Sequence, residues 1–215
     1  MPACPEVKRC YRRWLTAYPG RTLAETIVLA LALAAVVGIV ALHIYYGIPA
    51  VMRQRAIQEK TACMQNAKGL ARALLMYLAD NDQVLPPSRA WCSSLTSYLS
   101  HASSLSCPAA QNTRCSYAFS GLMSGMQVSR VPDPDYAVAI FESDAGWNAS
   151  DGPELLPDAP RHMGGDVYVF ASGSTSWYPR KQLGADPRGN PIWAKEPDAD
   201  RVIWEPVLKD ETDDP

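Results

Sequence analysis

Four residues in the C-terminal half carry groups able to do chemistry at short range: Glu142, Asp144, His162 and Asp166. Oxygen donors from acidic loops suit calcium. Glu142 and Asp144, two apart, could do acid–base work if they shared a strand face, or could equally cap a loop. Neither chemistry has its full complement. No dense carboxylate run with ligand spacing appears, and there is no Gly-x-Ser-x-Gly elbow, Walker loop or dinucleotide fingerprint. The reading favoured here is a hydrogen-bonded structural histidine with solvated carboxylates. It expects no catalytic residue, no enzyme, no metal and no cofactor, with calcium the one ion those oxygens would suit. His43 lies in an apolar stretch beside Tyr45 and Tyr46 and reads as part of an aromatic belt rather than a proton relay.

Six cysteines are the other reactive groups. Cys4 and Cys10 fall in a basic leader and are expected as free thiols. Cys63, Cys92, Cys107 and Cys115 are candidates for disulfides if their part of the chain lies outside the cytoplasm. At least one bridge is expected, and four cysteines leave three pairings open. No Cys-x2-Cys zinc spacing occurs.

The elements that must position these groups begin with a membrane segment. From Leu23 to Ile48 the chain carries one acidic residue, Glu25, and one histidine, His43. That run exceeds the roughly 20 residues a helix needs to cross a bilayer, and it is longer than the apolar core of about 7–15 residues in a cleaved signal. Lys8, Arg9, Arg12, Arg13 and Arg21 precede it, which places the N-terminus in the cytoplasm and the larger part outside. Gly47 and Pro49 predict a kink or a brief break. Residues 52–80 predict a second helical stretch, with Ala67, Leu70, Ala71, Leu74, Leu75 and Leu78 as an apolar stripe.

The division expected is a leader (1–20), a transmembrane helix (21–48), an amphipathic stalk (49–84), a head (85–180) and a Pro/Asp-rich tail (181–215). In the head, Leu95, Tyr98 and Leu99 could share a short helix, and residues 136–142 read as a buried strand. Residues 143–165 read as loop, and 166–171 and 174–178 as two strands turned at Ser172-Gly173. In the tail, Ile192, Trp193, Val202, Ile203 and Trp204 are candidates to dock on the head, and the last few residues read as disordered. This order makes an α+β fold: a long N-terminal helix packed on a small antiparallel sheet. The net charge of -2 gives no general basic field for nucleic acid.

One further pattern concerns the anchor. Gly20-Arg21-Thr22-Leu23-Ala24-Glu25, followed by the apolar run, resembles the processing site of type IV pilins and type II secretion pseudopilins. Downstream, Cys63-Met64-Gln65-Asn66-Ala67-Lys68-Gly69-Leu70, Asn81-Asp82-Gln83-Val84-Leu85-Pro86-Pro87, Cys107-Pro108 and Arg161-His162-Met163-Gly164-Gly165-Asp166 are similar to a pilin-like subfamily with a C-terminal His-x9-Asp-Gly motif. The likeness spans about residues 20–178.

The resemblance implies cleavage after Gly20 by a prepilin peptidase, with methylation of the new N-terminus at Arg21. It also implies assembly into a filament through Leu23, Glu25 and the apolar helix. Its partners would be that peptidase, other pilin-like subunits and the bacterial inner membrane, with the head periplasmic or extracellular. Three departures stand out. Arg21 replaces the family's phenylalanine. Pro49 falls about two helical turns later than the family's proline. The motif is degenerate, with His162 kept, Ser172 at the aspartate position, then Gly173 and Ser174. The alternative is a membrane-tethered binding module outside the cytoplasm that keeps an unprocessed pilin-like N-terminus as its anchor.

Overall fold

The computed structural model describes residues 22–110, 114–198 and 202–204. The leader with Cys4, Cys10, Gly20 and Arg21, and the acidic end of the tail, lie outside the described residues. The chain divides into two units, one up to Met52 and one from Arg53 onward.

The first unit is helical. Helix α1 (Leu23–Leu42) opens with a capping box: Thr22 accepts from the Glu25 backbone N–H, and the Glu25 side chain accepts from Thr22 N–H. The box satisfies two of the donors that a helix start leaves free, and sets a carboxylate at the positive end of the helix dipole. None of the 20 residues of α1 is buried. A five-residue π-helical segment, His43–Gly47, follows, and helix α2 (Ile48–Asp80) begins directly after it. The chain stays helical through Gly47 and Pro49, and the expected irregularity takes the form of the π segment, since Pro49 has no N–H to donate. A π turn is the usual local adjustment where the α ladder is disturbed, and here it sits just before the proline.

From Arg53 the second unit is built on α2, whose buried residues are Cys63, Ala67, Leu70, Ala71, Ala73, Leu74 and Leu78. The expected stripe is largely present, but Leu75 is half exposed. The helix ends where Asp82 and Gln83 adopt positive φ (52° and 60°) and Gln83 N–H turns back to the Leu78 carbonyl. A short helix α3 (Trp91–Thr96) follows, with Trp91, Cys92 and Leu95 buried. Tyr98 and Leu99 fall just beyond it.

Six strands complete the unit: β1 (Tyr117–Ser120), β2 (Val138–Glu142), β3 (Ser150–Asp151), β4 (Gly165–Phe170), β5 (Thr175–Ala185) and β6 (Pro191–Pro197), in the order β3-β1-β2-β4-β5-β6. The sheet is mixed rather than purely antiparallel, because β3 pairs parallel with β1. The turn at Ser172-Gly173 joins β4 to β5, with Gly173 at φ 83°. The expected tail is sheet as far as Pro197: β5 runs on to Ala185 and folds back as β6.

Strands β1, β2 and β4 are buried along their whole length because both faces of the sheet are covered. Phe119, Ile140, Val167 and Val169 face the core that holds the α2 stripe. Ala118, Val138, Phe141, Tyr168 and Phe170 form a second core, closed by Tyr178, Val202 and Trp204. Ile203 is tied to the edge of β2 through Tyr136 and Val138.

A buried cluster of two thiols, a carboxylate and a histidine

The side chains of Cys63, Cys107, Glu142 and His162 converge, all of them buried, with their ligand-type atoms within 4.8 Å of one another. Each comes from a different part of the head. Cys63 lies on the buried face of α2, and Cys107 on the loop before β1. Glu142 is the last residue of β2, and His162 lies on the loop that enters β4. His162 is held by mutual backbone hydrogen bonds with Gly165 and by the Trp177 indole N–H, which donates to the His162 carbonyl at 2.9 Å. Gly165 has no room for a side chain, because a Cβ there would collide with the Trp177 ring and the Tyr178 carbonyl.

Cys63 S–H donates to Glu142 Oε1 at 2.8 Å, and the Tyr117 hydroxyl lies 3.2 Å from the same sulfur. His162 Nε2 reaches both Cys107 Sγ (3.1 Å) and Glu142 Oε1 (3.0 Å). Its Nδ1 is buried with no hydrogen-bond partner among the described residues, so the ring is held through Nε2 alone. Glu142 Oε2 accepts the Val167 N–H at 2.9 Å, and the Arg161 guanidinium lies 4.0 Å from Oε1.

These contacts set the charges. The neighbouring Cys63 thiol draws the Cys107 thiol down to about 6, with His162 adding to it against burial. Burial works against a charged His162, but Cys107 and Glu142 outweigh it and raise the imidazole to about 10. Cys107 is thus drawn down and His162 pushed up, each by the other's presence. Burial likewise opposes a charged Glu142, yet His162, Cys63 and Arg161 hold it below the usual carboxylate range. The Cys63 thiol moves the other way, raised by the neighbouring Cys107, by burial and by the Glu142 carboxylate to which it donates.

The expectation of solvated carboxylates is corrected here. Glu142 and Asp166 are fully buried, and only Asp144 is exposed. Asp144 pairs with Arg161, and Asp166 Oδ2 lies 2.7 Å from Arg180 Nε on the opposite face of the sheet. Arginines thus occupy the carboxylates that might have offered oxygens to calcium. Burial and the Glu142 charge raise Asp166 to about 7 against the pull of Arg180. The short approach is that of an ion pair, so Arg180 is what favours a charged carboxylate there.

The expected disulfide is not found: Cys63, Cys92, Cys107 and Cys115 are buried free thiols. They form two neighbouring pairs. Cys92 Sγ donates to Cys115 Sγ at 3.4 Å near Asn148, while Cys63 and Cys107 belong to the cluster. The remnants of the His-x9-Asp-Gly motif do not meet. His162 precedes β4, whereas Ser172 and Gly173 follow it, with Ser172 hydrogen-bonded to Pro134 and Ser174. Glu25 is engaged with Thr22, and Leu23 is exposed. Sequence reasoning linked Glu142 and His162 but did not join them to Cys63 and Cys107, because no local spacing connects the four. The one available signal was four cysteines with no pairing rule. The chain matches no protein-family model, no curated protein and no solved structure.

Proposed function

We propose that the chain is a pilin-like structural subunit, a pseudopilin of a type II secretion or type IV pilus-like filament. In this reading a prepilin peptidase cuts after Gly20. The apolar helix holds the subunit in the inner membrane with the head outside the cytoplasm, and then packs against the helices of neighbouring subunits. The observation that carries the reading is α1: 20 residues long, with no buried residue, and opening on a capped carboxylate at Glu25. About 30 Å of helix matches the hydrocarbon layer. An apolar surface without protein cover needs lipid or other subunits around it. A carboxylate at the head of such a helix is costly in lipid unless paired, and the new N-terminus of a neighbouring subunit would pair with it.

Intact mass of the mature chain, measured with and without an active prepilin peptidase, tests the first step. Loss of residues 1–20 only with active peptidase supports the proposal. Retention in both cases removes it and leaves a membrane-tethered module with an uncut anchor. For the second step, Glu25→Ala should abolish recovery of assembled filaments, and undiminished recovery would sink the assembly role.

A further inference from the structure

The geometry points to a structural zinc site formed by Cys63 Sγ, Cys107 Sγ, Glu142 Oε1 and His162 Nε2. Four protein ligands of these types make a closed tetrahedral zinc centre. With Zn–S near 2.3 Å and Zn–N or Zn–O near 2.0–2.2 Å, the edges of such a tetrahedron run about 3.3–3.8 Å. The four atoms already lie within 4.8 Å of one another, with contacts of 2.8, 3.0 and 3.1 Å along three of the edges. Replacing the shared protons by an ion needs only small outward and inward shifts.

The donor set selects the ion. Two sulfurs exclude calcium and magnesium, which take oxygen ligands, and the added imidazole suits zinc. Two thiolates and one carboxylate carry three negative charges against the two of the ion. The guanidinium of Arg161, 4.0 Å from Glu142 Oε1, answers the remaining one.

Outer partners hold Glu142, Cys63 and the His162 backbone in place, while the His162 ring nitrogen Nδ1 has no partner among the described residues. Val167 N–H fixes Glu142 Oε2, the Tyr117 hydroxyl reaches Cys63 Sγ, and the Trp177 indole fixes the His162 backbone. All four ligands are protein groups, so the site joins α2 to the β2 and β4 ends of the sheet and offers no open position for catalysis. The inference does not depend on filament assembly.

The test uses the full chain in detergent, purified under reducing conditions. Elemental analysis should find about one zinc per chain that survives gel filtration. Cobalt(II) in place of zinc should give thiolate-to-cobalt charge-transfer absorption and the visible bands of a tetrahedral ion. Cys107→Ser and His162→Gln should each weaken zinc binding by more than about a hundredfold, since outer partners alone are worth 10–100-fold. Cys92→Ser should leave it unchanged. If the ligand variants fail to fold, the cobalt spectrum of the unaltered chain still decides. Reduced chain that takes up no stoichiometric zinc and gives no charge-transfer band would overturn the site, as would a cobalt spectrum that persists in Cys107→Ser.

Discussion

Arg180 and Asp166 are both fully buried, and the guanidinium also donates to the carbonyls of Pro157 and Ala194. Removing one member of a buried pair leaves a charge with no solvent and no partner, which costs about 3–5 kcal/mol. Arg180→Ala should lower the denaturation free energy by that order, whereas Arg180→Met with Asp166→Leu should recover most of it. The loss should also depend on pH. Without Arg180, the buried Asp166 carboxyl has a folded-state pKa raised above its unfolded value near 3.9. Asp166 already sits at about 7 beside Arg180, so losing the guanidinium raises it further, and the deficit relative to the parent chain is flat below about pH 6 and grows as pH rises through and beyond 7. Denaturant titrations of the parent and Arg180→Ala at about pH 5.5 and about pH 8.5 check the sign; equal deficits at both would contradict it. Little of this was legible in the sequence, because nothing local links Asp166, at the start of the expected strand 166–171, to Arg180 until β4 and β5 pair.

At the level of elements, the turn between β4 and β5 meets α2 at one point. Gly173 has φ 83°, and a Cβ there would lie 2.7–2.9 Å from the Leu75 side-chain carbons. Gly173→Ala therefore meets both a strained backbone and a clash, and should cost about 1–3 kcal/mol. Adding Leu75→Ala should return part of that cost, so a thermal-denaturation cycle should give a non-additive pair; strict additivity would mean the two do not touch.

This turn and the α2 stripe were readable from the sequence, because tight-turn chemistry and a 3.6-residue period are local signals. The start of β5 was readable too, but its run on to Ala185 and its return as β6 were not. Pro179, Pro187, Pro191 and Pro197 punctuate that stretch, and most of it is exposed, so it shows no alternating pattern. The two-residue β3, which makes the sheet mixed, is too short to leave any periodic trace.

For the molecule as a whole, the helix starting at Leu23 is long and apolar enough to cross a membrane. Leu33→Arg, near the middle of α1, should disfavour insertion by about 2.5–3.5 kcal/mol. The share of protein sedimenting with membranes should fall accordingly, and full retention there would argue that α1 is not what holds the chain. That helix was fully legible, since a long apolar run with Glu25 as its one acidic residue needs no tertiary information. The cluster in the head was legible only in halves, because its members are linked by packing and not by spacing.

The separation of those four groups along the chain has a consequence for synthesis. Cys63 leaves the ribosome about a hundred residues ahead of His162, and at roughly 5–20 residues per second that is a delay of roughly 5–20 s. The first sulfur waits for its carboxylate until Glu142 is made, and both sulfurs wait for the imidazole until the end of that interval. The nascent thiols are thus open to oxidation or to premature capture by ions before the strand that shelters them exists. The order of synthesis thus leaves the cluster incomplete until the loop that carries His162 is made.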